Sequence, residues 1–398
     1  MIQITKLTIV VEGTRGKSSI VRFFHKFFYE NGYNTLGRET GLVPMIYYND
    51  EKKFVQREGE LPFNILTETK IINELYNSEE IDVVIFENNA IRAEYMRSLS
   101  NYLKADVVII STITFDHILS QGFSIEETAR TFIKSVPHYS HIIFWSNHEF
   151  EYEVFRDTYE KIGRGDADIL FSTLEDRELT IYQALKKIID EKGIKIKKDI
   201  NEFSDKIIYE CPMDEKCPYL IKEYVPEEIF SQNIKPITFI DIGHVNDPIH
   251  THIIFNQIMD QKNDNEVYLL LNFREDRVER IPLFIEGFIP LVEDQIKGII
   301  IHSQNIAFTS DYLAKYAKKQ LQNPDKMEFY TFKEFDEFVD DLAPQLPPES
   351  YVIMVANTAD KFGYELIDKL DLFRESYPIL DDFNLFELRY SKKPEDLY

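Results

Sequence analysis

Residues 7–19 read Leu-Thr-Ile-Val-Val-Glu-Gly-Thr-Arg-Gly-Lys-Ser-Ser, the most informative stretch of the chain. The apolar run 7–11 predicts a buried strand, and the apolar-rich segment Ser18–Asn31 predicts a helix that ends at Gly32. A strand, a glycine turn with Gly-Lys-Ser and a helix together are the arrangement of a phosphate-binding loop. The alternative is an ordinary strand-to-helix turn that carries Gly-Lys by chance.

The residue types of this loop suit phosphate chemistry. Gly13 and Gly16 allow the backbone to curl so that its N–H groups point at an anion, and the positive end of the following helix faces the same place. Lys17 would reach the terminal phosphates of a nucleoside triphosphate, and the Ser18 hydroxyl would lie on Mg²⁺. The common motif has another glycine five residues before Gly16, where this chain has Val11.

The composition is that of a globular protein, with 398 residues, of which 44% are hydrophobic and 29% charged. No run of about 18 apolar residues occurs and the N-terminus lacks a signal-peptide pattern, so neither a membrane span nor secretion is expected. Cys211 and Cys217 are too few for a disulfide framework or a complete zinc site, which indicates a reduced, cytoplasmic compartment. The net charge of −24 argues against nucleic-acid binding, and an anionic substrate would need a local basic site.

Apolar runs alternate with helical segments, which indicates an α/β fold. We expect a P-loop domain with a mostly parallel sheet covered on both faces (residues 1–232), followed by a smaller Rossmann-like α/β domain (233–398). Leu36–Gly41 is predicted to be a polar loop, and residues 160–232 give little pattern. Further strands are predicted at Met45–Tyr48, Ile81–Phe86, Ala105–Ser111, His141–Trp145, Ile237–Ile240, Val267–Leu271, Lys297–His302 and Tyr351–Val355. Further helices are predicted at Phe63–Tyr76, Ser124–Ser135, Thr180–Lys192 and Ile249–Met259.

Polar residues collect where the predicted strands end, which is the ligand side of such sheets. Glu87 follows one strand of the first half, and Asp116 with His117 follows the next. In the second half, two strands lead to Asp241, His244, Asn246 and Asp247, and to Asn272, Arg274, Asp276 and Arg277. Several independent clusters at equivalent positions are harder to explain by chance than any one of them.

Each cluster also has a plainer interpretation. Glu87 is either a helix N-cap partner or a ligand of Mg²⁺ or its bound water. His117 is an unusual ligand for Mg²⁺, which prefers oxygen, and from the residues alone it would be a hydrogen-bonded structural histidine. The arginines of segment 274–280 form either a solvated helix face or a site for a nucleotide or a carboxylate.

These motifs resemble those of the Mur ligase superfamily. Residues 13–19 are similar to its Gly-Thr-x-Gly-Lys-Ser/Thr loop, which also lacks the early glycine. Glu87 stands where the superfamily has its Mg²⁺-linked glutamate, and Thr114–His117 resembles its Asp-His motif, whose histidine binds a second Mg²⁺. Asp241–Pro248 resembles the Asp-x-Ala-His-Asn-Pro motif that opens its C-terminal domain. The order of domains is like that of folylpolyglutamate synthase.

Within the superfamily, the chain looks most like the ATPase subunits of capsule-type poly-γ-glutamate synthases. The residues that carry this likeness are Arg15, Thr40-Gly41, Arg57-x-Gly59, Val245–Pro248 and Asn272–Arg277. The carbamylated lysine of many Mur ligases has no counterpart, because its place is near Phe132 with only Lys134 close by. The hydrophobic anchor that is usual in this branch is not seen, and Glu87-Asn88-Asn89 replaces its Glu-Cys-Met.

The resemblance implies an ATP- and Mg²⁺-dependent ligase that forms γ-glutamyl-type amide bonds through an acyl phosphate, in poly-γ-glutamate synthesis. It implies a cytoplasmic protein recruited to the inner face of the membrane, with an amino-acid or γ-glutamyl substrate, membrane-embedded synthase subunits and further copies of itself as partners. The implied catalytic residues are Lys17, Asp116, His117 and Arg274, with Asp116 orienting His117. The implied metal residues are Ser18, Glu87 and His117. The implied nucleotide-binding residues are Gly13, Thr14, Arg15, Gly16, Lys17, Ser18, Ser19, His244, Asn246, Asp247, Asn272 and Arg277.

Two other functional classes remain compatible with the sequence. A nucleotide-driven switch or partner-binding ATPase needs the phosphate loop but not the second-half cluster. A binding subunit without turnover needs neither ATP hydrolysis nor an amino-acid substrate.

Overall fold

A computed structural model describes residues 6–40, 44–54, 68–70, 80–173, 176–202, 220–224, 237–245, 247–262, 264–358 and 360–369. The chain divides into two compact units, residues 1–208 and 209–398. Among the residues so described, no helix is long and apolar enough to cross a membrane.

The described part of the first unit contains one eight-stranded sheet in the order β4-β3-β2-β5-β1-β6-β7-β8. The strands are β1 (Leu7–Glu12), β2 (Thr35–Glu39), β3 (Met45–Tyr48), β4 (Glu51–Phe54), β5 (Val83–Glu87), β6 (Val107–Ser111), β7 (His141–Ser146) and β8 (Ala167–Phe171). All neighbours pair in parallel except at β3 and β4, which form an antiparallel edge. The predicted, mostly parallel sheet is confirmed.

Helices cover both faces of this sheet, because its strands are apolar on both sides. The described helices are α1 (Lys17–Glu30), α2 (Ala93–Leu103), α3 (Ile125–Ser135), α4 (Glu149–Ile162) and α5 (Arg177–Glu191), with a short turn of helix at Ile118–Gln121. α1 and α5 pack one core with alternate residues of β1, and α2, α3 and α4 pack the other. As predicted, Ser124 caps α3: its Oγ accepts a hydrogen bond from the Glu127 N–H at 3.1 Å.

The prediction of a polar loop at Leu36–Gly41 is wrong, because β2 occupies Thr35–Glu39. β2 lies between β5 and β3 and is buried throughout, although only one of its five residues is apolar. Gly37 makes this close packing feasible, since a Cβ there would lie 3.1 Å from Cδ2 of His25. The predicted helix Phe63–Tyr76 falls mostly outside the described residues.

The described part of the second unit contains a six-stranded sheet in the order β13-β12-β11-β14-β10-β9. Its strands are β9 (Leu220–Tyr224), β10 (Ile237–Asp241), β11 (Val267–Phe273), β12 (Gly298–Ser303), β13 (Glu328–Phe332) and β14 (Tyr351–Val355). All pair in parallel except β9, which runs antiparallel to β10. β9 precedes residue 233, so this sheet begins earlier in the chain than the domain boundary expected from the sequence.

The second sheet is also covered on both faces. α6 (Pro248–Gln261), a π-helical segment at Leu283–Phe288 and α7 (Ser310–Gln320) pack one face. A second π-helical segment, Glu337–Leu342, and α8 (Lys361–Lys369) pack the other. The loop after β14 therefore leads to the opposite face of the sheet from the loops after β10 and β11.

Candidate functional site

The loop between β1 and α1 has the backbone geometry that the sequence predicts. Gly13 has φ +113° and Gly16 has φ +79°, conformations that residues with a Cβ rarely adopt. A Cβ on Gly13 would lie 2.7 Å from the Ser111 N atom. Gly16 is the N-cap of α1 and supplies no side-chain acceptor. The first-turn N–H groups of α1 therefore have no side-chain cap at Gly16, and they are available to a phosphate group.

A seam of hydroxyl groups ties this loop to the segment that follows β6. The Thr14 Oγ1 lies 2.9 Å from Oγ1 of Thr112 and 2.8 Å from Oγ1 of Thr114. The Thr14 N–H donates to the Thr112 carbonyl at 3.1 Å, and the Arg15 N–H donates to Thr112 Oγ1 at 3.2 Å. Thr112 has φ +105°, a strained value for a β-branched residue. The strained residue, Thr112, is the one that hydrogen-bonds the phosphate loop.

Lys17 and Ser18 lie at the start of α1, where the motif requires them. The Lys17 Nζ donates to the Gly13 carbonyl at 2.8 Å, and burial lowers the pKa of its amine although the Glu87 carboxylate opposes that shift. The Ser18 hydroxyl donates to Glu87 Oε2 at 2.8 Å. The same carboxylate oxygen accepts from the Thr40 N–H at 3.1 Å. The structure thus brings Ser18 and Glu87 together across 69 residues of sequence.

The hydroxyl of Ser18 and the carboxylate of Glu87 are oxygen donors of the kind that Mg²⁺ prefers. In the described ranges, no group of three or more His, Cys, Asp or Glu side chains is placed to hold a metal ion alone. Mg²⁺ usually takes one or two protein ligands and completes its shell with phosphate oxygens and water. The donor set therefore fits Mg²⁺ bound together with a nucleotide.

Asp116 and His117 lie beside the loop on the β6 side. The Arg15 Nη1 is 3.4 Å from Asp116 Oδ2, which places the predicted loop arginine next to the predicted motif. Asp116 Oδ1 accepts from the His117 backbone N–H at 3.0 Å, whereas the His117 Nε2 is 3.9 Å from that oxygen. His117 itself has φ +48°. Asp116 therefore fixes the backbone turn that presents His117, and at 3.9 Å it does not hydrogen-bond that ring nitrogen.

A buried carboxylate, Glu12, supports the loop from below. Its Oε1 accepts from Asn88 Nδ2 at 2.8 Å and from Ser100 Oγ at 3.4 Å, and its Oε2 accepts from Ser135 Oγ at 2.5 Å. Burial raises the pKa of Glu12 to about 7, and these hydrogen bonds offset the shift only in part. Glu12 joins the end of β1 to the turn after Glu87 and to two helices.

Glu12→Gln is expected to make the protein more stable at pH 8 and to leave its stability nearly unchanged at pH 4.5. The pKa of the folded carboxyl lies above its ordinary value of 4.5, so its contribution to stability is present at low pH and is lost as the pH rises toward 7. The neutral amide avoids that loss, a difference on the order of 3 kcal/mol.

Denaturant unfolding of both proteins at the two pH values measures this difference. Glu126→Gln is the matched control, because it makes the same substitution at a half-exposed position. A variant that is equally destabilised at both pH values would mean that Glu12 acts only through the geometry of its hydrogen bonds.

Arg177, the first residue of α5, is a buried cation behind the loop. Its Nη2 donates to Ser19 Oγ at 3.0 Å, and its guanidinium carbon lies 5.8 Å from the Trp145 ring centroid. A Cβ on Gly16 would lie 2.9 Å from Arg177 Nη1. Glu178 forms an ion pair with the same guanidinium. Sequence reasoning missed Arg177, because nothing in its local pattern indicates contact with a loop 158 residues earlier.

In the second unit, the predicted residues have defined structural partners. Asp247 Oδ1 accepts from the His250 N–H at 2.9 Å and so caps α6. Asn272 is buried, donates to the Asn357 carbonyl at 2.9 Å and to Asp360 Oδ1 at 3.0 Å, and lies 2.6 Å from Nδ1 of His302. These contacts fix the positions of both side chains at the strand ends.

The remaining predicted residues of this unit lie near the same strand ends. Asp241 Oδ1 accepts from the Gly243 N–H at 2.8 Å and from Thr358 Oγ1 at 2.7 Å, and burial raises the pKa of Asp241 to about 6. Arg274 forms a two-pronged ion pair with Asp276, with both N···O distances 2.7 Å. Arg277 Nη1 is 3.5 Å from Glu279 Oε1. His244 is described by its backbone only, and Asn246 lies outside the described residues.

Solved structures of folylpolyglutamate synthases and of a Mur ligase have a similar fold. E. coli FolC in complex with DHPP and ADP is similar with a TM-score of 0.58 and 13% identity, over 93% of this chain and 90% of that chain. The bifunctional folylpolyglutamate synthase/dihydrofolate synthase of Yersinia pestis, complexed with AMPPNP and Mn, gives 0.59 at 11% identity over the same shares. The MurF ligase of Thermotoga maritima in complex with ADP gives 0.51 at 10% identity, over 94% and 80%. The chain therefore has the fold of these folylpolyglutamate synthase and Mur ligase structures, which confirms the expected fold class.

The sequence of the chain is similar to those of CapB proteins. Residues 227–372 match the family described as the poly-gamma-glutamate synthase CapB C-terminal domain. The capsule biosynthesis protein CapB of Bacillus anthracis is 24% identical over 307 residues, 73% of this chain but only 62% of that protein. The PGA synthase CapB of Bacillus subtilis (strain 168) is 23% identical over 349 residues, 83% and 82% of the two chains. The resemblance to the poly-γ-glutamate synthase branch is confirmed.

Proposed function

We propose that the chain is an ATP-dependent carboxylate–amine ligase that forms γ-glutamyl-type amide bonds. The observation that carries the proposal is the Ser18–Glu87 pair, held at 2.8 Å beside Lys17 in a glycine loop, in a chain similar to CapB proteins. A binding module that needs only a nucleotide has no evident use for the further residues, Asp116 and His117, that the structure holds beside the same loop.

The proposed reaction has two steps. A carboxylate oxygen of the acyl substrate attacks the γ-phosphorus of ATP, the bond to the bridging oxygen breaks, and ADP leaves. The nitrogen of an amino acid then attacks the acyl carbon, phosphate leaves with the electron pair of the C–O bond, and the amine gives up a proton. The activation is needed because a free carboxylate is a poor electrophile.

The residues of the first unit have separate tasks in this scheme. The glycine loop and the first turn of α1 bind the phosphate chain through N–H groups, and Lys17 neutralises charge on the transferring phosphoryl group. Arg15 lies beside Asp116 at the same edge and supports that region of the loop. Mg²⁺, bound by Ser18 and Glu87, would supply further neutralisation of the phosphate oxygens. Thr40 fixes the Glu87 carboxylate in the orientation that this role requires.

The test is an ATP-hydrolysis screen across amino acids and short γ-linked glutamate peptides, with mass spectrometry of the products. The proposal expects ADP release that depends on both a peptide with a reactive carboxylate and an amino acid that supplies the amine, together with a product one residue longer than the peptide. A rate of ATP hydrolysis that no amino acid changes would instead identify a switch-type or partner-dependent ATPase. Nucleotide binding without any hydrolysis would identify a binding subunit.

The proposal includes a membrane-embedded partner. One relative is named as a capsule biosynthesis protein, and a capsule polymer has to cross the membrane after its synthesis. Co-purification of partners from detergent-solubilised membranes of the source cell would test recruitment. The Lys17→Ala protein serves as a second bait, because partners that it retains are recruited without turnover.

A further inference from the structure

Arg22 lies one helical turn after Ser18 on α1, so the two side chains share a face of the helix. Its Nε is 3.0 Å from Oε1 of Glu39 and 3.5 Å from the Ser18 carbonyl oxygen. One third of the Arg22 side chain is exposed, whereas that of Glu39 is only 4% exposed. The Arg22 guanidinium thus forms an ion pair with a buried carboxylate, while one third of its side chain is exposed.

Glu39 links this arginine to the proposed reaction centre. It ends β2, and the next residue, Thr40, donates its N–H to Glu87 at 3.1 Å. The end of β2 therefore touches both Arg22 and the carboxylate that pairs with Ser18. Any movement of β2 would shift Arg22 and Glu87 together.

The side chains of the other arginines near the loop are more buried than that of Arg22. Arg15 is 17% exposed and lies against Asp116. Arg38 is fully buried and makes a two-pronged ion pair with Glu68, with N···O distances of 3.0 and 2.9 Å. Arg177, behind the loop, is 5% exposed. Of these four arginines, Arg22 has the largest exposed fraction. Because the chain carries a net charge of −24, an anionic substrate needs a local cation of this kind.

We propose that Arg22, held by Glu39, binds the non-reacting α-carboxylate at the end of a γ-linked glutamate chain. This inference rests on the proposed function. The terminal glutamate of such a chain carries two carboxylates: Arg22 takes the α-carboxylate, and the γ-carboxylate is left to face Lys17 and Ser18. A planar guanidinium is suited to a carboxylate, which can accept two parallel hydrogen bonds. Arg22 is then a residue that selects γ- over α-linkage, and Glu39 is its positioning residue.

The first test compares two peptides, γ-linked triglutamate and the same peptide with its terminal α-carboxylate converted to an amide. We expect the wild type to show a KM for the amide about 10- to 100-fold higher than for the acid, the range of a charge-assisted hydrogen-bonded pair. In Arg22→Ala the KM for the acid rises to that of the amide, so that the preference disappears. The KM for ATP stays within about twofold, and Arg22→Lys recovers part of the preference.

Arg130→Ala is the matched control, because Arg130 also pairs with a glutamate, Glu126, at 3.1 Å on an exposed helix face. Glu39→Gln keeps the shape of the positioning residue and should give an intermediate preference, which provides a second variant if Arg22→Ala folds poorly. A wild type that uses both peptides equally, or an Arg22→Ala protein that keeps the wild-type preference, would overturn the inference.

Equilibrium binding separates this inference from the proposed function. Binding of triglutamate to the AMPPNP-loaded protein is measured by calorimetry, without turnover. Wild-type binding that Arg22→Ala loses, in a protein that makes no amide bond, would refute the ligase reaction and keep the carboxylate site. Amide formation with an unchanged peptide preference in Arg22→Ala would keep the ligase and refute the site.

Discussion

Lys17→Ala is expected to lower kcat for amino-acid-dependent ADP release by about 10²- to 10³-fold, the usual effect of removing one preorganised charge-stabilising donor. Lys17 Nζ lies within the glycine loop, 2.8 Å from the Gly13 carbonyl, where it can shift to a phosphate oxygen without movement of α1. The substitution removes this amine, and the charge that develops on the transferring phosphoryl group is then no longer neutralised by Lys17.

The fold should tolerate this substitution. Burial lowers the pKa of the Lys17 amine, which means that the folded protein holds that charge at a cost. The melting temperature of Lys17→Ala is therefore expected to equal or exceed that of the wild type. Steady-state kinetics with a coupled ADP assay measures the loss, and thermal unfolding measures stability on the same samples.

Lys26→Ala is the control for Lys17→Ala, because Lys26 is an exposed lysine on the same helix. It should leave kcat within about twofold of the wild type, the size expected for an exposed charge far from the reacting groups. Normal amino-acid-dependent ADP release by Lys17→Ala would show that the loop does not serve phosphoryl transfer in this protein.

The parts of the fold that could be predicted from the sequence are those with a local signal. β1, β6 and β14 consist mostly of apolar residues, which is the local signal of a fully buried parallel strand. The glycine loop was predictable because its two positive φ values require glycine at fixed spacing from Lys17.

The parts that could not be predicted depend on contacts between distant residues. β2 has the composition of a loop. It is buried because it pairs with β5 and because its Arg38 forms an ion pair with Glu68. The hydroxyl seam joins Thr14 to Thr112 across 98 residues, a distance over which no periodicity carries information.

The outcome at Asp247 shows a different limit. The sequence places an aspartate before a proline at the end of a strand, and that pattern fits both a ligand-binding motif and a helix cap. The structure shows the cap, with Pro248 at the first position of α6. Residue type and spacing predicted the motif but not the cap. The cap uses Oδ1 and is compatible with the predicted role in ligand binding.

Gly13→Ala is expected to weaken ATP binding by about 100-fold or more. At φ +113° an alanine is strained, and its Cβ would lie 2.7 Å from the Ser111 N atom and 2.8 Å from the Ser111 Oγ. The nearer contact is a backbone atom of the central strand β6, which cannot move aside, so the loop itself has to change shape. A loss of about 3 kcal/mol of binding free energy corresponds to about 100-fold in Kd.

Gly193→Ala separates the cost of the backbone conformation from the cost of the clash. Gly193 also has positive φ, +68°, but a Cβ there would meet nothing within 4 Å. It should lose about 1–2 kcal/mol of stability and bind ATP as the wild type does. Calorimetric titration with AMPPNP measures binding for both variants, and denaturant unfolding measures stability. If the two variants lose affinity equally, the effect comes from general destabilisation; if only Gly13→Ala loses it, the contact with β6 is what shapes the loop for phosphate.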